Sequence, residues 1–251
     1  MREKAKKRES KGLQKITFKP ACISALKEML HDIYTAGHPT PEDYNNRRDL
    51  VRVFNMMAKE VYGSSNDFPV VEVFGSFVMD MFSAKSDLDL SINFSSDLAE
   101  YPREKKIDAL RKFAKLLYPL QRRGHVYGVH PIMSARVPIL KVVDRGSGIE
   151  CDISVENKDA IAKSQIVHII SAIDERFQIL SSLIKTWAKA YDINSSKDRT
   201  LNSLSIILLV AFHFQTRDPP ILPPFKVLLK VITSTLNQGS KTRTWDLDRR
   251  S

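Results

Sequence analysis

Alternation of apolar and polar residues is confined to four segments, 70–74, 87–94, 137–143 and 149–155, and this limits the chain more than any other feature. A period of two sends successive side chains to opposite faces and predicts strands. Elsewhere the apolar period is three to four, as a helix requires. Leu26, Met29 and Ile33 share one face; Leu50, Val53, Phe54, Met57 and Val61 form a second stripe behind a Thr40-Pro41 start and ahead of a stop at Gly63 to Asn66. Pro102 opens a third helix, with Ile107, Leu110, Ala114 and Leu117 on its inner face. After Asn157 no strand pattern returns. Ile166, Ile170, Ile173, Phe177, Leu180, Ile184, Trp187 and Tyr191 predict one long amphipathic helix, Asn194-Ser195-Ser196 breaks it, and an apolar helix over 204–214 follows, ended by Pro219-Pro220 and Pro223-Pro224. The chain is therefore expected to be helical in front, mixed in the middle and all-helical behind, an α+β protein.

Composition narrows the class. With 251 residues, 43% of them hydrophobic, the chain can bury a core, which excludes wholesale disorder. Two cysteines exclude a disulfide framework, and the basic, polar start does not read as a signal peptide. The longest apolar run, 204–214, is about half of a membrane span and contains His213. An intracellular protein, cytoplasmic and/or nuclear, with no membrane partner is expected. The net charge of +10 suggests a polyanionic partner, yet eight basic residues against Glu3 and Glu9 already sit in 1–19. The run 4–11 fits either an import or RNA-contacting arm or, more commonly for such runs, a solvated tail.

The chemistry lies in the strands. Asp87, Asp89 and Ser91 share one strand face, and Leu88, Leu90 and Ile92 share the other. Two neighbouring carboxylates repel unless a cation lies between them, and hard divalent ions favour such oxygen donors. In 149–155, Glu150, Asp152 and Ser154 form the polar face opposite Ile149, Cys151, Ile153 and Val155. Asp144 to Gly148 reads as a hairpin turn that brings Asp152 beside Asp87 and Asp89, with Pro138 at a strand edge or start. Gly75-Ser76 follows the first strand and precedes an expected short helix from Phe77; such a glycine lets backbone approach a phosphate and the serine hydroxyl can bind one. Each element alone is common. Their conjunction is specific. The histidines show no ligand spacing; His125 and His130 read as loop or surface residues, and Gln121 to His125 as a basic loop.

Gly75-Ser-Phe-Val78, Ser86-Asp-Leu-Asp-Leu-Ser91, Ala135-Arg-Val-Pro-Ile-Leu-Lys141, Cys151-Asp-Ile-Ser154, Lys185-Thr-Trp-Ala-Lys189, Ile193-Asn194 and Phe212-His-Phe-Gln215 resemble the noncanonical poly(A) polymerase and terminal uridylyltransferase family of the polymerase-β-like nucleotidyltransferases. The likeness is greatest to the plant small-RNA uridylyltransferases and runs from about Leu26 to about Leu229. It implies a catalytic palm over 41–157 and a helical central (PAP-associated) domain built from 20–40 with 158–235, between tails at 1–19 and 236–251. It implies template-independent addition of nucleotides to an RNA 3′-hydroxyl, UTP favoured and ATP possible, with release of pyrophosphate. Asp87, Asp89 and Asp152 would hold two Mg²⁺ or Mn²⁺ ions. Gly75, Ser76, Lys185, Lys189 and Ser203 match triphosphate-side positions, and Asn157 one near the nucleotide sugar. The partners implied are a single-stranded RNA 3′ end and a nucleoside triphosphate.

Two departures stand out. Arg199-Thr-Leu-Asn-Ser203-Leu204 has Arg199 where the family typically has glycine, a strained choice if that position needs a positive φ, and Leu204 where an aromatic ring usually stacks on the base. The pattern also ends after about Leu229, so the chain reads as a truncated or alternatively spliced member whose helix over 206–214 would expose apolar surface. A catalytically weak or inactive short form that binds RNA or regulates tailing is the alternative function.

Overall fold

The computed structural model describes residues 19–63, 69–94, 101–195, 198–228 and 230. The expectations for the two tails fall on 1–18 and 231–251 and lie outside the described residues. The chain divides into two units, Met1–Gly37 and His38–Ser251. The first contributes helix α1 (Pro20–Gly37), on which Ile23, Leu26, Met29 and Ile33 are all exposed and no residue is buried.

The second unit opens with α2 (Pro41–Tyr62). Thr40 and Asp43 form a capping box, Pro41 takes the first turn, and Gly63 ends the helix at φ +80°, as the sequence requires. The strands are β1 (Val70–Phe74), β2 (Leu88–Asn93), β3 (Val126–Ile132), β4 (Ile139–Asp144) and β5 (Glu150–Val155), with α3 (Arg103–Arg122) between β2 and β3. They form one sheet in the order β1-β2-β5-β4-β3. Only the β2–β5 pair is parallel. Leu88, Leu90 and Ile92 of β2 join Leu140, Val142, Cys151 and Ile153 on one face, where Phe54 and Met57 of α2 and Leu110, Phe113 and Leu117 of α3 cover them. The other face carries the polar residues. At the β1 edge Asn55 acts as a short strand: its amide donates to Val71 O at 3.1 Å, and its carbonyl accepts from Val71 N at 2.9 Å.

Helices α4 (Lys158–Ser171), α5 (Glu175–Ala190) and α6 (Ser203–Gln215) follow. Val167, Ile170, Phe177, Ile207, Val210, Ala211 and Phe214 form a second core, to which Leu222 and Leu228 add. The segment linking β1 to β2 serves both cores: Phe77 and Phe82 enter the first, Met79 and Met81 the second. Among the described residues no helix is long and apolar enough to cross a membrane.

Four local expectations change. The long helix is two, because Asp174 turns out of the helix and caps α5 by accepting from Arg176 N at 2.9 Å. Trp187 and Tyr191 then meet in a tilted ring contact outside the second core, 51% and 67% exposed. Residues 126–132 form a strand rather than a loop; Gly128, Pro131 and a register shift between Tyr127 and His130 hide its alternation. After Gly75 there is a run of turns instead of a short helix, with Met79 N donating to Gly75 O and Met81 N to Ser76 O.

Candidate active site

Register assembles the site. Asp89 on β2 stands opposite Asp152 on β5, and Asp152 stands opposite Lys141 on β4, so the three form a row across adjacent strands. One alternation earlier, Asp87 and Glu150 extend the row toward the strand starts. Oxygens of Asp87, Glu150 and Asp152 lie within 4.8 Å of one another. Two unit charges at that separation repel by roughly 3 kcal/mol at an effective dielectric constant of about 20.

Lys141 offsets part of this repulsion. Its ammonium donates to both oxygens of Asp152, at 2.8 and 3.0 Å, and to Glu150. Burial works against its charge, but the hydrogen bonds to Asp152 and Glu150 prevail and hold its pKa above the ordinary lysine value. Asp89 lies deeper. Desolvation first, then the Asp152 and Asp87 charges, push its pKa up to about 7, and Asp87 is raised by burial, Glu150 and Asp152. Carboxylates gathered at this cost present an all-oxygen donor set that fits a hard divalent cation.

Gly75 has φ +72°, and a Cβ there would lie 1.9 Å from Asp89 Oδ2. The glycine therefore makes room for a carboxylate. Its N–H donates to the buried Ser164 Oγ of α4 at 2.8 Å, which leaves the adjoining Ser76 as the phosphate-facing candidate of the pair. Lys185 approaches from α5. Its Nζ donates to Met81 O at 3.2 Å, and its pKa falls to about 8 through burial and the neighbouring Lys189. Lys185 acts electrostatically on Asp89, and the exposed Lys189 on Asp87, each favouring the ionised carboxylate.

Two expected site residues stand further off. Asn157 begins α4, its N–H donating to Ser91 Oγ at 3.0 Å and its side chain reaching Ser154 Oγ at 3.4 Å, one row beyond Asp89 and Asp152. Ser203 opens α6 and is engaged with Asn194 at 3.3 Å. Arg199 does adopt a left-handed conformation, φ +59°. Leu204 packs against the second core. Sequence reasoning placed Glu150 on the polar face without counting it as a ligand and gave Lys141 no role; the same i, i+2 rule that selected Asp152 selects Glu150, whereas Lys141 needed the β4–β5 register.

Residues 26–172 match the family described as the poly(A) RNA polymerase, mitochondrial-like, central palm domain. Protein HESO1 of Arabidopsis thaliana is 46% identical over 204 residues, covering 81% of this chain and 39% of the relative. Terminal uridylyltransferase 7 of Homo sapiens is 30% identical over 167 residues, covering 65% of this chain and 11% of the relative. The chain thus spans well under half the length of these relatives. The crystal structure of mtPAP in complex with UTP superposes with a TM-score of 0.68 at 23% identity, covering 78% of this chain and 43% of that one. Cid1, described with an RNA terminal uridylyl transferase activity, gives 0.67 at 22% identity, covering 80% of this chain and 56% of its own. At these identities the two structures establish the fold, a polymerase-β-like palm of mixed sheet and helices. By the match over more than half of its length, the chain belongs to the mitochondrial-like poly(A) RNA polymerase central palm family.

Proposed function

We propose that this chain carries out template-independent nucleotidyl transfer to an RNA 3′-hydroxyl, with UTP favoured and ATP accepted as a second substrate. The observation that carries the reading is the row of Asp87, Asp89, Asp152 and Glu150 oxygens gathered at one sheet end against their mutual repulsion. Divalent cations bound there, Mg²⁺ or Mn²⁺, would supply neutralisation of phosphoryl charge and a lowered pKa for the attacking hydroxyl. The residues of the chain do the rest. Asp87, Asp89 and Asp152 would hold the ions, and Lys141, bonded to both oxygens of Asp152, aims it across the row. Lys185, Lys189 and the Ser76 hydroxyl bind the triphosphate, Ser203 adds a hydroxyl from the start of α6, and Asn157 lies on the sugar side. The RNA 3′ oxygen forms a bond to the α-phosphorus as the bond to pyrophosphate breaks, in line. UTP is favoured because relatives from Homo sapiens and Mus musculus include terminal uridylyltransferases, and ATP is retained because poly(A) polymerases are also among them.

The test is direct. The purified chain is incubated with labelled single-stranded RNA, Mg²⁺ or Mn²⁺ and each nucleoside triphosphate separately, beside Asp87→Ala/Asp89→Ala. Extension with UTP exceeding that with ATP, and lost in the double variant, is expected. Metal-independent RNA binding without extension overturns the proposal in favour of a regulatory protein.

A further inference from the structure

Arg47 is a charged side chain with no solvent exposure, on the inner face of α2. Its ion pair with Asp43 is stretched to 4.0 Å, so its charge is met mainly by dipoles. Nη2 donates to three carbonyls, Ser83 O at 3.3 Å, Ala84 O at 3.2 Å and Ser86 O at 2.6 Å, and Nη1 donates to Asp43 O at 3.2 Å. The Phe82 ring lies against the guanidinium, 4.6 Å to the centroid. Nε has no partner.

Stability is a poor reason for this arrangement. An apolar side chain here, under a turn whose carbonyls faced water, would avoid the desolvation cost of a buried cation. The carbonyls supply a better reason, because all three belong to the turn that delivers Asp87. That turn is closed on itself by Ser86 N donating to Ser83 O and Ser83 N donating to Ser86 Oγ, both at 2.9 Å. Three carbonyls turned toward one point repel one another unless a cation sits among them, and the guanidinium meets all three through Nη2 while Nη1 reaches Asp43 O, a span that the single nitrogen of an ammonium does not cover. The guanidinium therefore joins the turn to a capped helix that packs on the back of the sheet. The next residue along is the first carboxylate of the row.

We infer that Arg47 is a positioning residue for the cation-holding carboxylates: by tying the 83–86 turn to α2 it fixes where Asp87 stands relative to Glu150 and Asp152. The inference rests on the reading of those carboxylates as a divalent-cation site. It is tested by titrating Mn²⁺ into the full chain and following the free-ion signal by electron paramagnetic resonance, for the unaltered protein, Arg47→Met, Arg47→Lys and Asp87→Ala/Asp89→Ala. Arg47→Met, which leaves the 83–86 carbonyls without a donor, is expected to fold but melt lower, and to bind Mn²⁺ about tenfold more weakly or worse, as loss of an outer supporting residue does. Arg47→Lys, which keeps the charge but not the fork, should fall between. In the tailing assay kcat should drop with KM for UTP unchanged, and excess Mn²⁺ should restore part of the rate. An Arg47 variant that folds with unaltered Mn²⁺ affinity overturns the inference, and so does failure of both Arg47 variants to fold, which would make the residue structural only. If the double aspartate variant binds Mn²⁺ like the unaltered chain, it is the cation reading itself that fails.

Discussion

Asp89 and Gly75 constrain each other more tightly than any other pair in the site. The carboxylate occupies the space a Cβ on residue 75 would need, and the glycine's φ of +72° is open to few other residues. Burial and two neighbouring charges raise the Asp89 pKa to about 7, so folding favours its protonated form. The sign follows: with metal removed, this group's contribution to stability is full below pH about 4, falls as pH rises, and is gone above about 7. The shift is worth roughly 4 kcal/mol at most. Asp89→Asn in EDTA should therefore melt higher than the unaltered chain at pH 8, with the gap closing toward pH 4. An equal gap at both pH values would show that the carboxylate is not protonated by its surroundings.

Among the elements, the segment ahead of α6 carries the clearest strain. Arg199 sits at φ +59°, beside bonds that join Thr200 to Ser195, Thr200 N to Ser195 O at 3.1 Å and Ser195 N to Thr200 Oγ1 at 2.8 Å. A non-glycine residue there costs about 1 kcal/mol. Arg199→Gly should raise Tm by roughly 2–4 °C, as such an energy does in a chain of this size; an unchanged or lower Tm, read by differential scanning calorimetry, would count against strain. The same scale explains what sequence alone could yield. Where alternation was strict, as in 87–94 and 149–155, the strands, their faces and the meeting of Asp87, Asp89 and Asp152 were all legible. β3 was not, because a glycine, a proline and a bulge each interrupt the period. The break between α4 and α5 was hidden for the opposite reason: the apolar spacing runs straight across it, and only the capping bond of Asp174 marks the end. Lys141 and Arg47 were invisible as partners because each meets its acceptors through tertiary contact, across strands or from a distant helix.

In the His38–Ser251 unit as a whole, two cores meet through one segment. Phe77 and Phe82 belong to the sheet-side core, Met79 and Met81 to the helical one. Tyr44 and Arg47 of α2 hold the segment from one side, bonded to Asp80 and to the 83–86 carbonyls, while Gln178 and Lys185 of α5 hold Asp80 O and Met81 O from the other. Removing the two methionine side chains should cost about 2–5 kcal/mol each, as for other buried large-to-small changes. In Met79→Ala/Met81→Ala, hydrogen exchange should accelerate in α4 to α6 while β2 and β5 keep their protection. Equal acceleration throughout would show that both cores unfold as a single unit. On α6, Leu208, Leu209 and Phe212 are exposed, whereas Ile206, Ile207, Val210, Ala211 and Phe214 are buried, so only one face of the 206–214 stretch is the open apolar surface expected from the sequence.

The side chain of Asn55 has a consequence for the sheet's neighbours. By taking up both main-chain groups of Val71, it withdraws the β1 margin from any foreign strand seeking to add on. The β3 margin is interrupted by a bulge and by Pro131, which has no amide hydrogen to offer. The five strands are thus bounded on both sides, which discourages copies of the chain from pairing along the edges of the sheet.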